Sequence, residues 1–167
     1  MRAEAHAIEA LTRFPGVLAA QLAAIEPAAL DWRPASWEGM PSERLTIRQQ
    51  LCHLRDIEID GYVERFRRLL GEEDPLLPSI DGDALVESRG YDRTDAQSAL
   101  AAFAGGRRRT LALLDRLTPE QLQRRGRFEG YGPVTVVGLL HFLCSHDQQH
   151  LAGIQWLLGM RAAAAGP

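Results

Sequence analysis

Two histidines, His146 and His150, stand four residues apart in a stretch whose apolar residues recur with the period of an α-helix. On a helix, positions i and i+4 lie about 40° apart on one face, so both imidazoles can reach a single metal ion at about 2.1 Å. Leu139 and Ile154 share this face, which predicts that the pair points toward the protein interior. The spacing alone is a modest signal, because it also occurs by chance. The glutamate that follows the first histidine in many metalloproteases is replaced by Asp147, which argues against a protease.

A third ligand has to come from another helix, and His53 is the candidate. It lies at the border of the apolar face of a second predicted helix, where a ligand can face a cleft. A boundary histidine that hydrogen-bonds to a neighbour is the alternative. Asp56 and Glu58 follow as candidates to accept a hydrogen bond from the N–H of a metal-ligating histidine without binding the metal themselves. Glu58 falls within the apolar face, so its carboxylate needs a partner, and an arginine in a structural salt bridge is as good a candidate as a ligand histidine. For Asp60 a salt bridge is favoured.

The remaining histidines fall outside this cluster. His141 lies on the far face of its helix from the pair, and His6 lies near the N-terminus, so both are predicted to be exposed. The run Arg107–Arg109 points in three directions on a helix and is predicted to be solvated surface.

The composition indicates that helices position these side chains. The chain has 167 residues, the size of one globular domain, of which 46% are hydrophobic and 25% charged. Alanine and leucine together exceed a quarter of the chain, and β-branched residues are few. All 19 basic residues are arginine, so any anion that the protein holds must meet arginine or a metal. The predicted helices cover about residues 3–25, 46–70, 94–117 and 135–159.

Local signals predict how these helices begin and end. Pro15 is expected to interrupt or kink the first helix. Thr46 has the spacing of a capping box with the glutamine three residues later, and the third helix is expected to open at Thr94. The fourth helix is expected to end at Gly159. The run Val134–Val137 is too short to predict a strand.

Charge and hydrophobicity exclude several classes of protein. The formal net charge is −3 at pH 7, which provides no basic field for nucleic acid. No stretch reaches the roughly 18–20 apolar residues of a membrane span, and the first residues lack the apolar core of a secretory signal. Two cysteines do not make a disulfide framework. We therefore expect a cytoplasmic protein with no nucleic-acid or membrane partner.

With these residues placed, the chain resembles the DinB/YfiT-like family of metal-binding four-helix bundles over nearly its whole length. Each motif is loose, and the resemblance rests on their order and spacing. The matching segments are Leu30–Pro34 (LDWRP), Leu45–Ile47 (LTI), His53–Glu58 (HLRDIE), His146–His150 (HDQQH) and Gly153–Gln155 (GIQ).

The resemblance implies an all-α, up-down-down-up four-helix bundle that forms a single domain over residues 1–167 and is a homodimer in many relatives. It implies that His53, His146 and His150 hold a divalent metal, zinc or nickel. Three neutral imidazoles leave the charge of that metal uncompensated, so it can lower the pKa of a bound thiol. Several relatives transfer low-molecular-weight bacterial thiols, and we therefore expect a metal-dependent thiol transferase acting on a small-molecule electrophile. A non-catalytic metal-binding stress-response protein and a helical interaction module without metal are the alternatives.

Pocket residues are expected from the long loops between the helices. Arginines there can hold the carboxylates of a thiol co-substrate in a bidentate fashion. Packing of the loop against the bundle is the alternative, and it is favoured for Trp37. The candidates are Arg33, Trp37, Arg89, Tyr91 and Tyr131.

Overall fold

Helices make up most of the protein in a computed structural model, which describes the backbone of residues 2–166 and the side chains of residues 4–166. Met1 and Pro167, the ends of the predicted domain, lie outside the described residues. No described helix is long and apolar enough to cross a membrane. The α-helices are α1 (Arg2–Ala24), α2 (Ile47–Asp56), α3 (Val63–Gly71), α4 (Gly82–Ser88), α5 (Ala96–Leu114), α6 (Pro119–Leu122) and α7 (Val136–Ala164). A π-helical segment covers Ile57–Tyr62, and short 3-10 helices cover Pro27–Ala29 and Tyr91–Arg93. The strands are β1 (Leu76–Leu77), β2 (Arg125–Phe128) and β3 (Gly132–Thr135).

Contacts between the long helices establish their directions. The segments α2, π and α3 follow one another without a break and form one rod, α2–α3. α1 runs parallel to α7, α2–α3 runs parallel to α5, and α2 runs antiparallel to α7, so the four rods run up, down, down and up in chain order. This all-α bundle topology is the predicted one. The contacts that give these directions are Ala7–Cys144 and Glu26–Arg161 for α1 with α7, Arg48–Thr94 and Glu58–Thr110 for α2–α3 with α5, and Gln50–His150 and His53–His146 for α2 with α7.

The predicted interruption at Pro15 is wrong, because α1 continues through it. Proline has no backbone N–H, so the carbonyl of Leu11, four residues earlier, loses its helical partner. The Arg107 guanidinium donates a hydrogen bond to that carbonyl over 3.1 Å. A side chain from α5 thus replaces the missing bond.

Two predicted boundaries also differ from the structure. α5 begins after Asp95 and not at Thr94, because the Asp95 carboxylate caps the helix by accepting a hydrogen bond from the Ser98 amide over 2.8 Å. α7 continues for another turn beyond Gly159. The capping box at Thr46 is confirmed at the start of α2.

A small sheet lies at one end of the bundle, although the sequence predicts no strand. β1 pairs with β2 in parallel, and β2 pairs with β3 in the antiparallel direction. The sheet contributes Leu77, Phe128 and Val134 to the hydrophobic core. Its strands are two to four residues long and β1 lies far from β2 in sequence, so alternation along the chain is a weak signal for them.

A layer of buried polar side chains divides the core in two. Arg107 is fully buried there and donates hydrogen bonds of 2.7–3.1 Å to the carboxylates of Glu58 and Asp147. The predicted solvated surface is therefore wrong for Arg107, whereas Arg108 and Arg109 are exposed. The hydrophobic cluster on one side of this layer includes Leu11, Phe66, Leu77, Leu139 and Leu143, and the cluster on the other side includes Phe14, Leu51, Leu54, Phe103 and Ile154.

Candidate metal centre

Three histidines from two helices meet beside this polar layer. The Nε2 atom of His146 on α7 lies 3.3 Å from that of His53 on α2 and 3.2 Å from that of His150 on α7. Possible ligand atoms of all three lie within 4.8 Å of one another. Nitrogen ligands at the corners of a zinc tetrahedron are separated by about 3.3 Å, so the spacing suits a divalent metal. His6 and His141 are exposed and do not join the cluster.

Gln50 determines the tautomer of His150. Its Oε1 accepts a hydrogen bond from His150 Nδ1, so the Nε2 of that imidazole carries the lone pair and faces the cluster. Gln50 Nε2 donates to Ser42 Oγ over 2.8 Å and to the carbonyls of Glu43 and Leu45 over 3.4 Å, and because a carbonyl only accepts, the last two contacts establish which way the amide points. Gln50 is fully buried and lies one turn before His53, so α2 carries one candidate ligand and the group that orients another.

Burial keeps the three imidazoles neutral. His53 and His150 are 3% and 0% exposed, and burial lowers the pKa of each below its usual value. The pKa of His146 is lowered to about 3 by burial and then by the charges of His53 and Arg107. When the outer nitrogen of each ring carries the proton, as in His150, the three Nε2 lone pairs face one another, and a divalent cation between them removes the repulsion. The donor set and its spacing therefore fit a metal.

Acid is expected to destabilise the metal-free protein through these histidines. In the unfolded chain His146 titrates near its usual pKa of about 6.5, whereas the pKa in the fold is about 3. Between these values the unfolded state binds the extra proton, so the free energy of unfolding falls as the pH drops below about 6.5, by up to about 1.4 kcal/mol per pH unit for this residue. Urea denaturation at several pH values measures the slope. The His146→Asn variant should lose the contribution of His146 to this slope, and an identical slope in the variant would contradict the prediction.

Gly153 on α7 leaves the space in which Ser42 and Gln50 meet. A Cβ at this position would contact Ser42 Oγ and lie 3.0 Å from Gln50 Nε2. We expect Gly153→Ala to displace Gln50 from His150 and to weaken zinc binding about tenfold, the size seen when a hydrogen bond to a ligand is lost. Gly159→Ala on the same helix is the matched control, since nothing lies within 4 Å of its Cβ. Chelator competition measures both affinities, and equal values would show that this space does not matter.

Glu43 lies on the accessible side of the histidine cluster. Its carboxylate oxygens lie 3.4 Å from His150 Nε2 and 3.9 Å from His53 Nε2. The side chain is 44% exposed, so it borders both the imidazoles and the solvent. A carboxylate at this position can accept a proton from a group that binds next to the histidines.

A cavity of about 350 Å³ opens onto the cluster and reaches His53, His146 and Glu43. Gly82 at the start of α4 lets one wall close over the imidazole of His53, because a Cβ there would lie 2.5 Å from His53 Cε1. The hydrogen bonds from the amide and hydroxyl of Ser79 to Glu129 tie the preceding loop to the β2–β3 turn. The other walls include Ile57 and Tyr62 of the π segment, Arg65 of α3, Phe128 of β2 and Tyr131.

Asp56 and Glu58, the acids predicted to hold a ligand N–H, have other partners. Asp56 accepts a hydrogen bond of 2.8 Å from the Tyr91 hydroxyl. Glu58 accepts from Arg107, which is the arginine salt bridge that the sequence allows as its alternative. No described hydrogen bond joins either carboxylate to a histidine, and Gln50 takes the orienting position instead.

One of the five predicted pocket residues, Tyr131, lines the cavity. Arg33, Trp37, Arg89 and Tyr91 are not part of its described lining, and each contacts another part of the protein. The alternative interpretation of Trp37, that its loop packs against the bundle, agrees with its stacking on Trp156 of α7. The partners are Asp92 for Arg33, Trp156 for Trp37, Asp56 and Asp60 for Arg89, and Asp56 for Tyr91.

Sequence reasoning missed Gln50, Glu43 and Arg65. Gln50 is a polar residue on the buried side of an amphipathic helix, and Arg65 lies among the buried residues Tyr62 and Phe66. A polar or charged residue at an otherwise apolar helix position is the signal that could have identified both. Glu43 lies in a loop without periodicity, so no sequence signal places it near the histidines.

Comparison with known proteins agrees with this geometry. The sequence profile of the DinB superfamily matches residues 10–154. A curated protein of Oceanobacillus iheyensis, named "Putative metal-dependent hydrolase", is 25% identical over 130 residues, which cover 78% of this chain and 69% of the relative. The solved structure of YfiT from Bacillus subtilis, described as a probable metal-dependent hydrolase with an unusual four-helix bundle topology, superposes with a TM-score of 0.80. It is 26% identical, and the match covers 92% of this chain and 85% of that chain.

Proposed function

Because the chain belongs to the DinB superfamily, we propose that it is a divalent-metal enzyme that transfers a low-molecular-weight thiol to a small electrophile. His53, His146 and His150 hold the metal, zinc or nickel, in this proposal. The observation that carries it is the meeting of three neutral imidazoles with Nε2 atoms 3.2 and 3.3 Å apart beside a cavity. Three-histidine sites with an accessible side are typical of catalytic metals.

A divalent metal held by His53, His146 and His150 would supply a Lewis-acid charge that lowers the pKa of a thiol bound beside them. Glu43 accepts the proton when the S–H bond breaks, since its carboxylate borders the histidines at 3.4 and 3.9 Å. A new S–C bond then forms, and the leaving group departs with the electron pair of its bond to carbon. The rings of Tyr62 and Phe128 provide apolar walls for the organic part of the substrate, in a cavity whose volume of about 350 Å³ suits a small molecule.

Hydrolysis is the second candidate, and the names of two relatives favour it. Water would take the place of the thiol, and Glu43 would accept its proton in the same position. The two reactions differ in the nucleophile, so they are separated by adding or omitting the thiol.

A turnover assay tests this proposal. Zinc-loaded or nickel-loaded protein is mixed with a panel of small thiols and monochlorobimane, and fluorescence reports the conjugate. With at least one thiol, we expect both His150→Ala and Glu43→Gln to lower the rate about 100-fold, the second while it keeps its metal. If no thiol reacts faster with the wild type than with His150→Ala, thiol transfer is excluded for this panel. Cleavage of p-nitrophenyl acetate without thiol tests hydrolysis, and stoichiometric metal without either activity favours a non-catalytic metal-binding protein.

A further inference from the structure

Arg65 is a buried arginine in the wall of the cavity that opens onto the histidines. It is 4% exposed, and its Nε and Nη2 atoms donate to the carbonyl of Pro78 over 3.2 and 2.9 Å. Nη1 takes part in no hydrogen bond among the described residues. Gly61 leaves room for it, because a Cβ there would lie 2.9 Å from Nη1.

No described carboxylate neutralises this guanidinium. Its surroundings are aromatic: Arg65 Cζ lies 4.5 Å from the centroid of the Phe128 ring and 5.2 Å from that of Tyr62. Burial lowers the pKa of Arg65, which reflects the cost of holding a charge away from water. Arg107 is equally buried, and it meets two carboxylates. A buried charge is normally paired, so the unpaired Arg65 indicates that its counter-charge comes from outside the chain.

Arg65 and the histidines face the same small-molecule site. Arg65, His53 and His146 all line the cavity, and after burial itself the charge of Arg65 is among those that lower the pKa of His146. Glu43, Asp81 and Asp83 line other parts of the cavity and repel an anion, so an anionic group is attracted to the part of the wall that Arg65 forms. A small molecule in this cavity of about 350 Å³ can therefore have a reactive group at the histidines and an anionic group at Arg65.

We propose that Arg65 binds a carboxylate of the substrate, with Nη1 donating to it, while the reactive end of the same molecule lies beside the histidines. The proposal rests on the proposed function for the identity of the reacting groups. The carboxylate can belong to the thiol or to the electrophile, and the chemistry that Arg65 recognises is the same.

Matched probes with and without the carboxylate test this subsite. Zinc-loaded protein is titrated calorimetrically with 3-mercaptopropionate and its amide as the thiol pair, and with phenylacetate and phenylacetamide as the thiol-free pair. We expect the wild type to prefer the carboxylate by about tenfold or more in at least one pair, the size of a charged hydrogen bond. A preference in the thiol pair alone places the carboxylate on the thiol, whereas a preference in the thiol-free pair shows that Arg65 binds a carboxylate on a molecule without a thiol.

Variants of Arg65 assign the preference to this side chain. Arg65→Gln keeps an amide that can still donate to the Pro78 carbonyl and should lose the preference. Arg65→Lys keeps the charge but loses the paired N–H donors of the guanidinium, so it should retain only part of the preference. A partial preference in this variant would show that loss in Arg65→Gln is not caused by a folding defect. Arg124→Gln is the matched control, because Arg124 also donates to backbone carbonyls, of Leu69 and Glu72, outside the cavity.

Equal affinity for both members of each pair, or a preference that survives in Arg65→Gln, overturns the subsite. Its failure is distinct from failure of the proposed function. A protein that transfers thiols without preferring carboxylates has the function and lacks the subsite. A protein that transfers no thiol but shows an Arg65-dependent preference for phenylacetate has the subsite and another reaction.

Discussion

Replacing His150 by alanine is expected to weaken zinc binding by more than about 100-fold. His150 is fully buried, and its Nε2 atom lies 3.2 Å from that of His146 in the candidate metal centre. Loss of an outer hydrogen bond to a ligand costs about 10–100-fold in metal affinity, and loss of the ligand itself costs more. The substitution also leaves Gln50 Oε1 without the imidazole that donates to it. Competition with a chromophoric chelator measures the dissociation constant of each protein.

His141→Ala is the matched control for this measurement. His141 lies on the same helix, is exposed and takes no part in the cluster, so its removal should leave zinc affinity unchanged. A His150→Ala protein that binds zinc as tightly as His141→Ala would show that the three histidines are not the metal site. Thermal unfolding without metal checks that both variants fold.

Replacing Arg107 by methionine is expected to lower the free energy of unfolding by about 3–5 kcal/mol. The side chain is fully buried and forms the only described charge partner of Glu58 and Asp147. Methionine fills much of the volume but leaves two carboxylates buried without a counter-charge. It also removes the donor to the Leu11 carbonyl that Pro15 leaves unpaired, so α1 should be less regular near that point.

Two further proteins identify the cause of that loss. Arg108→Met removes an exposed arginine from the same helix and should change stability by less than about 0.5 kcal/mol. Adding Glu58→Gln and Asp147→Asn to Arg107→Met removes the uncompensated charges and should recover part of the stability. Urea denaturation gives all values. A triple variant no more stable than Arg107→Met would mean that packing or the bond to Leu11, and not buried charge, dominates.

The sequence by itself determined the parts of the site that depend on one helix. His146 and His150 share a face because the angle between residues four apart follows from the local geometry of the helical backbone. The same periodicity puts His53 at the border of its helix, where it meets α7. Thr46 and the glutamine three residues later predict the start of that helix, because a capping box is a contact within four residues. With the family motifs, these signals also predict the bundle and its order of directions.

Only the tertiary structure decided what lies between the helices. The orienting role of Gln50, the approach of Glu43 and the unpaired burial of Arg65 are contacts between elements far apart in sequence, and no local pattern encodes their distances. Arg107 shows the difference most directly. Its run of three arginines looks like surface on a single helix. The packing of α5 against α1, the α2–α3 rod and α7 instead surrounds Arg107 with two carboxylates and with a carbonyl that lacks its helical partner. A side chain's neighbours along a helix follow from the backbone, whereas its partners across the core depend on how all the rods pack together.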